Sequence, residues 1–409
     1  MLEQTEVTLE DLKHLVSERA LEGDTVLLNM GPQHPSTHGV LRLLLELDGE
    51  TIISCVPDIG FLHTGIEKNM ESKRYEQAAT MTDRLDYLNT VGNVLAYCLA
   101  IEKLTGLDVP PRARAVRVIL SELHRIASHL VWLATQALDL AAQSVFLYCF
   151  REREYVLDIL ELVSGQRMMT TYFRPGGLWR DVPVEFEDTV REFIEIFPKR
   201  LDQYETLLTK NPLFLDRTRN IGVISGEEAV RWGLSGPTLR GSGVAFDHRK
   251  ANPYSGYERY DFDIPTETSG DVYGRYLVRM EEFRQSVRIV QQALDNLPDG
   301  PTRSDNRKFV PPPRSELGTS MEALIHHFKL WTEGYNVPKG SVYLPIESAR
   351  GELGVFLESD GGAKPYRVHY RTPSFLHLQA LPKMAVGHLV ADLVAIIGSV
   401  DIVLGDADR

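Results

Sequence analysis

Two histidines lie four positions apart in the segment Gly31–Arg42, which reads Gly-Pro-Gln-His-Pro-Ser-Thr-His-Gly-Val-Leu-Arg. Proline fixes φ and glycine permits turns that are closed to other residues, so this segment is predicted to be a stiff, bent loop. Such a loop presents His34 and His38 at low entropic cost, and imidazole exchanges protons near neutral pH. The segment therefore has the chemistry of a proton-transfer site. A turn in which the histidines only cap backbone groups is an equally good interpretation.

The segment Asp83-Arg84-Leu85-Asp86-Tyr87 is predicted to open a long helix over residues 82–104. On a helix Asp83 and Tyr87 share a face, whereas Arg84 points elsewhere. A phenol is a neutral hydrogen-bond donor at neutral pH, which suits a site that reduces a carbonyl. The alternative is an ordinary helix N-terminus that favours acidic residues.

Asp139 interrupts an otherwise apolar stretch, residues 134–150. An unpaired buried carboxylate costs several kcal/mol, so Asp139 is predicted to be either exposed or paired. If its partner is His38, the carboxylate would favour the charged imidazolium and fix the tautomer of the ring.

The composition sets limits on the function. The chain has 409 residues, and its formal net charge of −13 argues against binding to nucleic acid. Its three cysteines, Cys55, Cys98 and Cys149, form no C-x-x-C pair, so no metal or cluster site can be built from them alone. The segment Met1–Glu6 is acidic, and the apolar runs fall short of the ~20 residues that span a bilayer. We therefore expect a cytoplasmic-type chain without a signal peptide.

Hydrophobic periodicity predicts an α+β fold that is mainly α, with an N-terminal antiparallel sheet and a C-terminal β-hairpin. The predicted regions are a tail or short helix (1–24), a small antiparallel sheet with the histidine loop (25–75), a helical bundle with irregular loops (76–298), a proline-rich linker (299–319), and a helix with a β region that returns to the bundle (320–409).

Several segments together resemble one family. They are Gly31–Arg42, Gly60–Lys68 (GFLHTGIEK), Arg151–Glu154 (RERE), Arg174–Gly177 (RPGG) and Pro253–Glu258 (PYSGYE). The set resembles the large quinone-site subunit of respiratory complex I, called the 49-kDa subunit in mitochondria and the D-subunit in bacterial NADH–quinone oxidoreductase. The resemblance runs from about residue 26 to residue 409. It implies a bundle similar to the large subunit of nickel–iron hydrogenase.

Two segments of the sequence resemble motifs of the hydrogenase large subunit. The segment Glu347–Leu353 resembles the hydrogenase E-A-P-R-G segment, and Asp401–Arg409 aligns with its D-P-C-x-x-C-x-x-H motif. Other residues stand at the former ligand positions: Asp86, Asn89, Val403, Asp406 and Arg409. Nickel with its soft ligands needs thiolates, and this chain cannot supply four of them, so hydrogenase activity is excluded.

The resemblance implies a role for each candidate residue. His38 and Tyr87 would each face one carbonyl of a quinone, Asp139 would be the partner of His38, and Val403 would belong to the apolar lining. Arg84 would lie near an iron–sulfur cluster that the adjacent small subunit binds, and this chain alone would bind no metal. Reduction places negative charge on the quinone oxygens and requires two protons, which suits an imidazole and a phenol as donors.

The implied protein is a subunit of a proton-pumping NADH–quinone oxidoreductase that forms the quinone-reduction site. Its expected partners are a small iron–sulfur subunit (B-like), a 30-kDa subunit (C-like), a ferredoxin-type subunit (I-like) and a membrane subunit (H-like). The expected location is the cytoplasmic face of the bacterial inner membrane. Two alternatives remain open: a related complex with ferredoxin or another electron donor, and a non-catalytic scaffold between the cluster subunit and the membrane arm.

One position departs from the family pattern. Many members carry a histidine after Gly-Gln-Arg-Met, close to the cluster, and its protonation couples to cluster reduction. Here the corresponding residues are Met169, Thr170 and Thr171, none of which titrates. We therefore expect the cluster potential to be comparatively low and to depend weakly on pH.

Overall fold

The computed structural model describes residues 25–409, and in this range the α+β fold, mainly α, is confirmed. The tail or helix predicted for residues 1–24 lies outside the described residues. The strands are β1 (Val26–Met30), β2 (Arg42–Asp48), β3 (Thr51–Asp58), β4 (Phe173–Arg174), β5 (Gly177–Leu178), β6 (Gly340–Glu347), β7 (Glu352–Ser359) and β8 (Arg367–Arg371).

The α-helices of the described range vary from four to 29 residues. They are α1 (Ile66–Glu71), α2 (Tyr75–Thr82), α3 (Thr90–Thr105), α4 (Pro111–Asp139), α5 (Gln143–Ser164), α6 (Phe186–Leu208), α7 (Pro212–Asp216), α8 (Gly226–Arg231), α9 (Gly236–Arg240), α10 (His248–Ala251), α11 (Val272–Asp295), α12 (Met321–Thr332), α13 (Pro373–Ala385), α14 (Val390–Val400) and α15 (Leu404–Asp408).

The N-terminal sheet holds the histidine loop. Strands β1, β2 and β3 form an antiparallel sheet in that order, and the loop connects β1 to β2. Leu43 and Leu45 of β2 are fully buried, because alternate residues of this strand face the core. Burial of this face fixes the register, and therefore the point at which the loop leaves the sheet.

Helix α4 is the centre of the bundle. It packs between α5 and α11, and most of its side chains are buried, as the sequence predicts for residues 113–133. It begins with Pro111 at its first position, where a missing N–H costs nothing. Its last residue is Asp139, so this carboxylate lies at the C-terminal end of the helix.

The prediction of one helix over residues 82–104 is wrong. Helix α2 ends at Thr82 and α3 begins only at Thr90. Between them the Leu88 N–H donates to Oδ1 of Asp86, 3.1 Å away. The Asn93 side-chain amide donates to the carbonyl oxygens of Thr82 and Asp86 at 3.1 and 3.0 Å. These side chains satisfy backbone groups that a helix would otherwise pair, so the chain turns here.

The C-terminal sheet contains a strand that sequence reasoning missed. The predicted hairpin is confirmed as β7 and β8, and β6 pairs antiparallel with the other side of β7. Pro345 obscures β6 in the sequence, but proline is tolerated here because β6 is an edge strand. The signal that could have found it is the alternation of Val342, Leu344 and Ile346.

Candidate active site

The structure brings His38 and Asp139 together. Nε2 of His38 lies 2.6 Å from Oδ2 of Asp139, and both side chains are largely buried. A hydrogen bond to a carboxylate orients an imidazole and fixes its tautomer. The pair therefore presents an oriented imidazole, a group that can transfer a proton to an acceptor.

The other histidine of the loop has a different role. Nδ1 of His34 accepts a hydrogen bond from the Ser36 N–H, 3.2 Å away, and so caps a short 3₁₀ turn, Pro35–Thr37. The Thr37 hydroxyl bonds the carbonyl oxygens on both sides of it, those of His34 and Gly39. His38 follows with φ of 53°, a conformation that is uncommon outside glycine. The capping interpretation is therefore right for His34, while His38 is turned toward Asp139.

A cavity of about 480 Å³ lies beside the loop between α2 and α3. Its size falls within the ~300–1,000 Å³ typical of sites for small molecules. Its lining is mainly apolar with a few polar groups: Leu62, Thr64, Ile66, Asn69, Thr80, Met81, Arg84, Tyr87 and Gly405. This cavity is the candidate active site.

Tyr87 and Arg84 both line the cavity. Burial raises the pKa of Tyr87, so its phenol stays protonated at neutral pH. Gly405 lets α15 approach closely, because a Cβ there would lie 2.6 Å from the Leu85 carbonyl oxygen and 3.3 Å from the Tyr87 ring. The tyrosine ring is therefore fixed against backbone, with its neutral donor group available to a ligand.

His38, Asp139 and Val403 do not line this cavity. The histidine loop contacts Leu404, the residue before Gly405: a Cβ on Gly39 would lie 3.3 Å from the Leu404 side chain. Val403 is only 2% exposed, and its N–H donates to the Ser374 hydroxyl inside the fold. Its predicted contact with a quinone stays a prediction.

Comparison with known proteins identifies the family. The family model described as "Respiratory-chain NADH dehydrogenase, 49 Kd subunit" matches residues 139–409, well over half of the chain. The chain belongs to this family of complex I subunits. The recognition based on the sequence motifs is therefore confirmed.

Curated relatives carry the corresponding bacterial name over nearly their full length. The chain is 62% identical over 399 residues to NADH-quinone oxidoreductase D-subunit 1 of Roseiflexus castenholzii, covering 96% of both chains. It is 56% identical over 409 residues to D-subunit 1 of Solibacter usitatus, covering 100% of both. It is 54% identical over 391 residues to the D-subunit of Thermus thermophilus, again covering 96% of both.

In this member of the 49-kDa family, two carboxylates flank a buried arginine, Arg350. Nη1 of Arg350 lies 2.7 Å from Oδ2 of Asp86, and Nη2 lies 3.2 Å from Oδ1 of Asp401. Asn89 donates to the Ser348 hydroxyl, 2.9 Å away. Among residues 25–409, no three His, Cys, Asp or Glu side chains are arranged to hold a metal ion. The carboxylates here neutralise a guanidinium, because a buried charge without a partner is costly.

Asp406 lies next to Gly405, behind the cavity wall. One oxygen accepts a hydrogen bond from the Ser374 N–H at 3.0 Å, while the other is buried without a hydrogen-bond partner among the described residues. Burial, together with the nearby charge of Asp86, raises the pKa of Asp406 to about 7. A carboxyl group that changes protonation near neutral pH therefore lies close to the site.

Asp83 is the residue of this region that sequence reasoning placed wrongly. It is fully buried, and its Oδ2 accepts hydrogen bonds from the N–H and the hydroxyl of Thr171, at 3.1 and 2.5 Å. Burial raises the pKa of Asp83 to about 6. Asp83 therefore ties the loop that contains Met169 to the segment that contains Arg84. No pattern in the sequence indicates this contact.

The raised pKa of Asp83 predicts how the stability of the folded chain changes with pH. The folded chain binds the Asp83 proton more tightly than the unfolded chain, so protonation of Asp83 stabilises the folded state. This contribution to the unfolding free energy is full below about pH 4 and is lost as the pH rises through 6. Asp83→Asn keeps an acceptor for Thr171 but does not titrate. Relative to the parent chain, it is expected to gain about 1 kcal/mol of unfolding free energy between pH 5 and pH 8.

The measurement is equilibrium urea unfolding of the full-length chain at both pH values. A variant whose stability differs from the parent by the same amount at pH 5 and pH 8 would show that Asp83 does not titrate in this range.

Proposed function

We propose that this chain forms the quinone-reduction site of a proton-pumping NADH–quinone oxidoreductase. The observation that carries the proposal is the cavity lined by Tyr87 and Arg84, together with the His38–Asp139 pair on a loop that contacts Leu404, the neighbour of the cavity-lining Gly405. Donors aimed at the oxygen of a reduced carbonyl stabilise the charge that develops there. The cavity has the size and lining for a quinone ring, and its polar groups are those that the reaction requires.

The residues of this chain would supply hydrogen bonds and protons, while electrons come from an iron–sulfur cluster on the adjacent small subunit. Tyr87 would donate to one quinone oxygen, since its phenol stays protonated in the folded chain. The His38–Asp139 pair would deliver a proton and then reload. Because His38 does not line the cavity, its role requires the quinone to reach beyond the cavity or the histidine loop to move toward it.

The test is NADH-driven quinone reduction by the purified complex with Tyr87→Phe or His38→Ala. Reduction of a water-soluble acceptor that bypasses the quinone serves as the internal control. Loss of quinone reduction with retention of the bypass reaction supports the proposal, and unchanged quinone reduction contradicts it.

The surface supports a place among other subunits. Helix α12 exposes a stripe of large apolar side chains at helical spacing: Met321, Leu324, Ile325, Phe328 and Trp331. Extended apolar patches mark interaction surfaces. We propose as partners the small iron–sulfur subunit and the C-like, I-like and H-like subunits, with quinone as the substrate. No helix within residues 25–409 is both long and apolar enough to cross a bilayer. The proposed location is peripheral, on the cytoplasmic face of the membrane complex.

The residue at position 169 gives a redox prediction. With methionine there, the cluster of the small subunit is expected to have a comparatively low potential that changes little with pH. Met169→His should raise the potential and add a pH dependence of up to about 59 mV per pH unit, the limit for one proton per electron. The measurement is a redox titration of the cluster in the purified complex, followed by electron paramagnetic resonance, between pH 6 and pH 8.

Asp83 provides the control for this titration, because it is a second titratable group in contact with the same loop. Asp83→Asn should leave the slope of the parent complex small. A steep slope in the parent that disappears in Asp83→Asn would contradict the expectation drawn from Met169 and assign the proton to Asp83.

A further inference from the structure

The segment Gly60–Gly65 forms one wall of the cavity, and we call it the cavity loop. Its residues Leu62 and Thr64 line the cavity, while Phe61 is 47% exposed to solvent. Gly60 and Gly65 bracket it with φ of 109° and 63°, and a Cβ at either position would have no other atom within 4 Å. Positive φ at both ends lets the backbone turn sharply, but glycine adds no contacts that would hold the loop in place.

Asp408 holds the first half of this loop, while the side-chain amide of Asn69 donates to the Thr64 carbonyl oxygen in the second half, 3.2 Å away. The two carboxylate oxygens of Asp408 accept hydrogen bonds from the N–H groups of Gly60 and Leu62, at 2.8 and 2.7 Å. The Asp408 carbonyl oxygen lies 2.7 Å from Nδ1 of His63. Three contacts from one residue thus fix the half of the loop that contains Leu62. Hydrogen bonds to an ionised acceptor are about twice as strong as neutral ones.

The surroundings of the loop are anchored independently. Glu67, at the start of α1, accepts a hydrogen bond from the Tyr370 N–H at 2.9 Å and pairs with Arg367 at 3.1 Å. Arg409 donates to the Tyr370 carbonyl oxygen at 2.9 Å. Loss of the Asp408 carboxylate should therefore release the loop without releasing α1.

We propose that Asp408 is a positioning residue for the quinone cavity: it holds the first half of the cavity loop so that Leu62 faces the substrate, and it thereby sets the affinity for the quinone. The inference rests on the proposed function of the cavity. Asp408 lies behind the loop and does not line the cavity, so it acts through the backbone of Gly60 and Leu62.

The test uses Asp408→Asn in the purified, assembled complex. The amide keeps one acceptor but presents an NH₂ group to the other backbone N–H, so one hydrogen bond is replaced by a donor–donor contact. Hydrogen exchange of the cavity-loop peptide should rise about tenfold, and the KM for a short-chain quinone should rise about tenfold, which corresponds to ~1.4 kcal/mol. The kcat should stay within about twofold, because the reacting groups are untouched.

Two further variants serve as controls for Asp408→Asn. Asp408→Glu retains the charge and should recover part of the KM and of the exchange protection. Asp295→Asn removes an exposed carboxylate that pairs with Arg191 on the far helices and should change neither quantity. The amount of assembled complex is measured for each variant, and loss of assembly in Asp408→Glu as well as Asp408→Asn would assign Asp408 to general stability and overturn the inference.

The outcomes separate the inference from the proposed function. Unchanged exchange in Asp408→Asn overturns the anchoring role. Faster exchange with unchanged KM, in a complex whose Tyr87→Phe variant has lost quinone reduction, overturns the link to affinity but leaves the proposed function intact. Faster exchange with unchanged KM, in a complex that also tolerates Tyr87→Phe, overturns both.

Discussion

Replacing Tyr87 with phenylalanine is expected to lower the kcat for quinone reduction by the complex about 100-fold, the lower range for removal of a positioned proton donor. The ring of Tyr87 is packed against Gly405, so phenylalanine fills the same space and only the hydroxyl is lost. The measurement is the steady-state rate with a short-chain quinone, alongside reduction of a water-soluble acceptor that does not need the cavity.

Tyr155→Phe is the matched control for this variant. Tyr155 lies on α5, packs against Phe193, is partly exposed and does not line the cavity. It should keep the parental rate. A Tyr87→Phe complex that also keeps the parental rate would favour the alternative in which this chain is a scaffold between other subunits.

The second large effect is expected at His38. His38→Ala removes the imidazole that contacts Asp139, and quinone reduction should again fall about 100-fold, as for loss of a general acid. His38→Gln can still bond Asp139 but cannot carry a proton, so it should lose nearly as much activity. Both variants are measured from pH 6 to pH 8 with the same short-chain quinone.

His388→Ala serves as a control for the removal of a histidine. His388 accepts a hydrogen bond from the Gly222 N–H and does not line the cavity. Restoration of activity in His38→Gln would show that the side chain at this position only orders the loop. Retained activity in both His38 variants would remove the pair from the proposed mechanism.

Much of the fold follows from local patterns. The buried helix α4, the hairpin of β7 and β8, and the N-terminal sheet all agree with periodicity and turn residues. The break between α2 and α3 does not agree with the local pattern, because the side chains of Asp86 and Asn93 bond backbone groups there. Asp86 is in turn held by Arg350, which is 264 residues away in the sequence. A local pattern cannot report a contact over that distance.

The candidate site likewise combines features that the sequence indicates with features that it does not. The cost of a lone carboxylate in an apolar stretch predicts only that Asp139 is exposed or paired, and the family resemblance names His38, 101 residues away, as its partner. The structure places the two side chains 2.6 Å apart. The cavity wall could not be predicted in the same way. Leu62, Thr64 and Gly405 carry no charge or titrating proton, so nothing in their residue types indicates that they enclose a space.

Residue types establish the chemistry that this chain has available: the family motifs, the absence of four thiolates, the histidine loop, and the carboxylate and phenol that accompany it. The positions of these groups come from the folded chain. In the fold, Tyr87 and Arg84 line the cavity, His38 and Asp139 contact each other outside its lining, and Asp408 bonds the cavity loop. Residue type fixes what a group can donate or accept, whereas its partners depend on contacts between segments that are far apart in the sequence.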